Sequence, residues 1–225
     1  MDLYHALNRG VDKRTIFLDN QDYARFVHNM FEFNTTKPAN NLARNKMNDI
    51  VSRPLRNPGT GVLYTKLVDV HGWCLMGNHY HLLLSDRIEG GISLFLRKLN
   101  VGYAKYFNER YNRAGTLFQG RTKKILINTD AYFLHILNYI HLNPLDFEET
   151  STEWRSRKID NIENALATIR NYHWSSYQDY TGIKNFPSIL TTSLFQSVFE
   201  GNYSKQLEQY LCAIEVEPSE YLILE

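Results

Sequence analysis

The chain has 225 residues, 43% of them apolar, with 25 Lys/Arg against 24 Asp/Glu, which suits one globular domain or one domain with an appendage. Two cysteines, Cys74 and Cys212, exclude a disulfide framework and a cysteine-rich zinc cluster. No basic, apolar leader opens the sequence and no apolar run approaches the ~20 residues that span a bilayer, so a cytoplasmic protein is expected. The near-neutral total conceals a division: residues 1–144 hold 19 basic against 11 acidic side chains, and residues 145–225 hold 6 against 13.

In chain order, apolar alternation predicts a strand over 3–8 and helical spacing a helix over about 20–34, with Asp19 placed to cap it. Strands follow over about 64–75 and 78–85, then a helix over about 92–109, a strand over about 122–128 and a helix over about 130–142. Asp130 is an early carboxylate in that last helix, and Pro144 is placed to stop it. The order βαββαβ, plus one more helix, predicts an α+β fold of the ferredoxin-like, split-βαβ kind. Its antiparallel sheet carries helices on one face and is followed by a C-terminal helical tail. Residues 1–145 would form this palm and residues 146–225 an acidic helical tail packed on it. Residues 35–62 fit no element. They combine Pro, Gly and Asn with Lys37, Arg44, Lys46, Arg53 and Arg56, and read as a basic insertion that is poorly ordered without a ligand.

Two short patterns carry the chemistry. His79 and His81, two apart on a strand, point to one face while Tyr80 points to the other. Tyr139 and Asn143, four apart at the end of a helix, share a helix face. Two imidazoles and an amide oxygen can hold a divalent metal, Mg²⁺ or Mn²⁺, with positions left for a phosphate oxygen, and a nearby phenol can attack that phosphate. Tyr132, seven residues before Tyr139, is the rival nucleophile. His135 also shares Tyr139's face, whereas His5 and His71 read as structural. A basic stretch runs from Arg97 through Lys98, Lys105, Arg110, Arg113, Arg121, Lys123 and Lys124, opposed only by Glu109. Tyr103, Tyr106, Phe107, Tyr111 and Phe118 are interleaved with it, a composition that suits phosphate contacts plus base stacking. Arg97, Lys98, Lys105, Arg113 and Lys124 are therefore candidate DNA contacts.

Six segments resemble the single-tyrosine HUH transposases, and most closely their REP-associated branch. They are Tyr4–Gly10, Ile16–Asp19 with Tyr23 and Phe26, Leu75–Leu84, Gly115–Arg121, Asp130–Tyr132 leading to Tyr139–Pro144, and Trp174–Tyr177. Gly77 stands where that family has a proline. The resemblance implies a metal held by His79, His81 and Asn143, with Tyr139 as nucleophile. The reaction implied is nicking and rejoining of single-stranded DNA at hairpin or palindromic repeats through a 5′-phosphotyrosine intermediate. It also implies a DNA path past Asn8, Arg9, Gln119 and Arg121, in a protein that acts as a monomer or a homodimer. A domesticated, non-catalytic module of the RRM-like kind is the competing reading, and a phosphohydrolase of small substrates is a third.

Overall fold

The computed structural model describes residues 2–37, 65–148, 154–156, 159–199 and 202–213. Four strands form one sheet: β1 (Leu3–Arg9), β2 (Val68–Leu75), β3 (His79–Asp86) and β4 (Lys123–Leu126). Their order is β2-β3-β1-β4 and every neighbouring pair is antiparallel. With α1 (Asn20–Glu32) between β1 and β2, and α2 (Gly91–Arg110) between β3 and β4, this is the ferredoxin-like layout. Asp19 caps α1 by accepting from the backbone N–H groups of Gln21 and Asp22. Positions 38–62 of the basic insertion lie outside the described residues.

Each face of the sheet has its own apolar layer, because side chains along a strand alternate. Ala6, Trp73, Leu75, Tyr80, Leu82 and Leu84 pack against Phe26 and Met30 of α1 and Phe95, Leu99 and Tyr103 of α2. On the opposite face, Leu3, Cys74 and Leu83 meet Ile136, Leu137 and Ile140 of α3 (Asp130–Leu142). Helices therefore cover both faces: α1 and α2 one, α3 with the tail the other. Gly72 on β2 allows this approach, since a Cβ there would stand 2.6 Å from Leu137 Cδ1. Pro144 ends the α-helical geometry, yet the chain continues winding as a 3-10 turn, Asn143–Phe147, rather than leaving the helix axis. A proline at the start of a turn loses no hydrogen bond, so this is compatible with its chemistry.

The tail elements α4 (Ile162–Asn171), α5 (Tyr177–Tyr180), α6 (Ser193–Gln196) and α7 (Tyr203–Ala213) complete the second layer. Their connections also cover the outer edge of β2. Leu75 N donates to Trp174 O at 2.9 Å, Ser176 N to Trp73 O at 3.0 Å, and Thr191 N to Val70 O at 2.8 Å. Pairing removes the exposed strand edge that would otherwise invite association.

One buried chain of hydrogen bonds ties α3 to this tail. Tyr203 donates its hydroxyl to Asn138 Oδ1 at 3.0 Å, so its oxygen accepts from His141 Nδ1 at 2.8 Å. His141 Nε2 then accepts from Ser176 Oγ at 2.7 Å, and Ser176 Oγ accepts from Trp73 N at 2.9 Å. The Ser176 hydroxyl also lies 3.3 Å from Trp73 O, a longer contact than the 2.7 Å to His141 Nε2, and donation along the shorter one keeps the imidazole neutral. Burial pushes the pKa of His141 down to about 3.

This sets a pH dependence. In the unfolded chain the ring takes up its proton near 6.5, so below that pH the unfolded state binds more protons than the folded one. The contribution is complete above pH 6.5 and is lost as pH falls toward 3, at no more than about 1.4 kcal/mol per pH unit for this one group. Urea unfolding at pH 7.5 and pH 5 should show His141→Gln less stable than wild type at the higher pH, but losing less on acidification. Equal losses would remove His141 from the acid response.

Candidate active site

β3 presents His79 and His81 on the α3 face, as alternation requires. Across the ladder Arg9 pairs with His79 and Leu7 with His81. Lys123 of β4 pairs with the same Leu7, and so also shares that face. The His79 and His81 rings lie 4.9 Å apart, nearly perpendicular at 83°. From α3, the Tyr139 ring approaches His81 edge-on at 5.8 Å and His5 at 5.9 Å. The structure thus gathers His5, His79, His81 and Tyr139 between the sheet and α3. Tyr132 is buried in the same apolar layer, and desolvation with Tyr139 nearby raises its pKa far above the phenol range. His135 lies instead against Tyr210 of α7, ring to ring at 5.3 Å.

Two interactions hold the imidazoles. His79 Nδ1 lies 2.6 Å from Asn78 Oδ1, and His81 Nδ1 shares a 2.9 Å hydrogen bond with His5 Nε2. In both rings Nδ1 is the engaged atom. A neutral imidazole that donates through Nδ1 keeps its lone pair on Nε2, the nitrogen then available to a metal.

Asn143 is engaged at both ends of its amide. Its Nδ2 donates to the backbone carbonyl of Tyr139 at 2.8 Å, closing the end of α3. Its Oδ1 accepts from Arg155 Nη2 at 2.8 Å. Arg155 also pairs with Asp146, and its guanidinium lies 4.4 Å over the ring of Trp154. Trp154 donates from Nε1 to Asp146 Oδ1 at 2.7 Å and packs on Tyr139 with ring centroids 5.7 Å apart. Tyr139 is consequently only 3% exposed. The donor set fits a divalent metal through two imidazoles, while the amide oxygen is engaged by Arg155. Among the described residues no group of three or more His, Cys, Asp or Glu side chains is gathered around a possible metal position.

The basic candidates separate into two groups. Arg9 and Gln119 stand at the His79 end of the sheet, linked by Arg9 Nε to Gln119 Oε1 at 2.6 Å, with Arg121 exposed close by in sequence. Arg97, Lys98 and Lys105 belong to α2, across the sheet from Tyr139. Lys98 donates to the carbonyls of Thr35 and Lys37, which anchors the segment after α1. Arg113 donates to Asn108 Oδ1 and Thr116 O, and Lys124 to Ser93 Oγ. Asn8 is buried, with Nδ2 donating to Thr122 Oγ1 at 3.3 Å. The interleaved aromatics are not a stacking platform: Tyr103, Phe107 and Phe118 are buried in the α1–α2 core. Tyr106 and Tyr111 donate to the buried carboxylate of Asp22. Spacing of three and four from Leu96 through Leu99, Tyr103 and Phe107 marks the core stripe of α2.

The sequence pattern does not single out Asn78, Trp154 or Arg155, and His5 reads in it as structural. The β1–β3 register was the signal for His5, since it lies on the strand beside β3 and on the histidine face. Asn78 directly precedes a proposed ligand. No periodicity marks Trp154 and Arg155.

No protein-family profile matches the chain, and no curated protein matches it. Among solved structures, a REP-associated tyrosine transposase bound to a REP hairpin is similar to it, with a TM-score of 0.48 and 12% identity over 84% of this chain and 85% of that one. Among the described residues no helix is long and apolar enough to cross a membrane.

A double-mutant cycle tests the contact at the end of α3. Arg155→Ala and Asn143→Ala should each destabilise the protein, with a coupling of about 1–3 kcal/mol, as for a hydrogen bond to a charged donor. Additive effects in urea melts would show that Arg155 does not hold Asn143.

Proposed function

We propose that this chain is a metal-assisted strand transferase that nicks and rejoins single-stranded or hairpin DNA through Tyr139. One observation carries the reading: the convergence of Tyr139 with His79 and His81 between β3 and α3. A histidine pair able to hold a metal on a phosphate, beside a phenol able to attack it, suits cleavage of a phosphodiester by tyrosine. The sequence resemblance to single-tyrosine HUH transposases supports the same assignment.

His79 and His81 would hold a Mg²⁺ or Mn²⁺ ion through Nε2, and Asn143 could join them once its oxygen leaves Arg155. When bound, the ion supplies charge neutralisation at the scissile phosphate. The protein's own part is to place the Tyr139 oxygen in line with the phosphorus. Its attack forms the phosphotyrosine O–P bond and breaks the P–O3′ bond; the phenol proton is lost and the leaving oxygen becomes a 3′-hydroxyl. Rejoining reverses these changes with another 3′-hydroxyl, so no external energy source is required. Arg9, Gln119, Arg121 and Lys123 would line the DNA path at the His79 end. Arg97, Lys98, Lys105, Arg113 and Lys124 would meet only DNA that continues around the sheet edge.

Burial of Tyr139 beneath Trp154 favours a second reading, a binding module that holds DNA without cutting it. Covalent trapping separates the two. Wild type incubated with single-stranded hairpin DNA and Mn²⁺ should give a denaturant-resistant adduct. Tyr139→Phe should give none while binding DNA normally, and Tyr132→Phe should retain it. An adduct that persists in Tyr139→Phe and disappears in Tyr132→Phe would reassign the nucleophile. DNA binding with no adduct from wild type would assign the binding module.

The DNA path has a separate readout. Neutralising Arg9, Arg121 or Lys123 should each lower the log–log salt slope of single-strand binding by about 0.7, the value for one lost phosphate contact. Neutralising Lys98, already committed to backbone carbonyls, should leave the slope unchanged. The reverse pattern would place the strand along α2.

A further inference from the structure

We propose that Asn78 is a positioning residue for His79: its side chain fixes the imidazole tautomer and aims Nε2 into the site. The inference rests on the strand-transferase reading only for what Nε2 meets.

Local backbone geometry is the starting point. After β1 the chain turns through Asp12 and Lys13, two consecutive non-glycine residues in the left-handed region at φ 55° and 56°. Each costs about 1 kcal/mol or more relative to a right-handed conformation, and such strain persists only where surrounding contacts over-determine it. Those contacts are present. Lys13 N donates to Gly10 O and Arg14 N to Val11 O, each at 3.1 Å. Ile16 N and Phe17 N donate to Gly77 O at 2.9 and 3.1 Å. The segment after β1 is thereby tied to the β2–β3 connection that carries Asn78.

This arrangement settles the orientation of the Asn78 amide, which distance to a histidine alone leaves open. Asn78 Nδ2 lies 3.2 Å from the carbonyl of Lys13, an atom that can only accept. The NH₂ group therefore faces Lys13, and Oδ1 faces His79 Nδ1 at 2.6 Å. Oδ1 also can only accept, so Nδ1 of His79 carries the proton and the lone pair of the neutral ring sits on Nε2. A strained loop, an amide and a ring are linked in sequence, and each link removes one choice from the next. His81 has a counterpart in His5, whose Nε2 engages its Nδ1. The two rings are thus braced from different elements, the loop after β1 and the body of β1.

The test uses the full chain labelled with ¹⁵N-histidine and free of metal, at pH 8. Long-range ¹H–¹⁵N correlation reads the His79 tautomer, with its signals assigned by their loss in His79→Gln. Mn²⁺ affinity is measured separately by electron paramagnetic resonance. Wild type should show a single Nδ1–H tautomer at His79. Asn78→Ala should release it to a mixture and weaken Mn²⁺ binding about 10- to 100-fold, the usual cost of losing such an outer partner. Asn78→Asp keeps an acceptor beside Nδ1 and should restore both the tautomer and the affinity. A wild-type Nε2–H tautomer, or a tautomer and affinity untouched in Asn78→Ala, would overturn the proposal. Should Asn78→Ala fold poorly by circular dichroism, loss of the Nδ1–H tautomer in Asn78→Asp would overturn it equally. A wild type with the Nδ1–H tautomer that binds no Mn²⁺ would defeat the metal reading and leave the positioning of His79 by Asn78 standing.

Discussion

The burial of β3 on both faces is the constraint on which the rest of the structure depends. It lies between β2 and β1, so its backbone is paired on both sides. Its alternate side chains serve two different layers: Tyr80, Leu82 and Leu84 face α1 and α2, while His81 and Leu83 face α3. A shift of one residue would bury two histidines in the first core and place Tyr80 against Tyr139. Register is therefore fixed by the chemical difference between the two sets, and a fixed register gives the histidines a defined direction. Tyr80 reinforces it from the far side, donating to Asn100 Oδ1 at 2.8 Å with its pKa pushed up to about 12 by burial.

A strand can orient His79 and His81, but it cannot place Tyr139. That depends on α3, and α3 is held by the C-terminal tail. The hydrogen-bond chain Ser176–His141–Tyr203–Asn138 joins the backbone of β2 to α3 and to α7 in one buried path. It has the residue types of a nucleophile and base, yet Ser176 and His141 are both fully buried and their bonds are used in joining the layers. Removing one member would leave the others with unpaired polar atoms, which costs more than the bond itself contributes. The acidic tail thus acts on the geometry of the tyrosine helix.

Much of the palm was legible because its pattern is local. Strand alternation and helix spacing located the four strands and three helices nearly at their observed bounds, Asp19 was recognisable as a cap, and the shared face of His79 and His81 followed from a period of two. The aromatics of α2 misled because a stripe of tyrosines and phenylalanines among basic residues has the same composition whether it stacks bases or fills a core. Only the packing of Tyr103, Phe107 and Phe118 against the sheet separates the two. Arg155 could not have been found at all. It lies twelve residues beyond Asn143, outside any periodic element, and its role arises from a tertiary approach.

The candidate site consequently has two halves with different mechanical support. The imidazoles sit on a paired, doubly covered strand, with Nδ1 atoms engaged by Asn78 and His5. That half loses little conformational freedom when a ligand arrives. The other half, Tyr139 and Asn143, lies at the end of a helix, where Trp154 covers one and Arg155 engages the other. Under the proposed reading, exchange of Arg155 for a ligand at Asn143 would replace one charge-assisted bond by another. The free energy of that step is then a difference between similar quantities, whereas an uncovered amide would contribute its full binding energy. Trp154 and Arg155 are adjacent and both bonded to Asp146, so displacement of one disturbs the hold of the other. Under the same reading, release of the amide oxygen and exposure of the tyrosine would be coupled through that single carboxylate, and the sheet-borne histidines would not need to move for either.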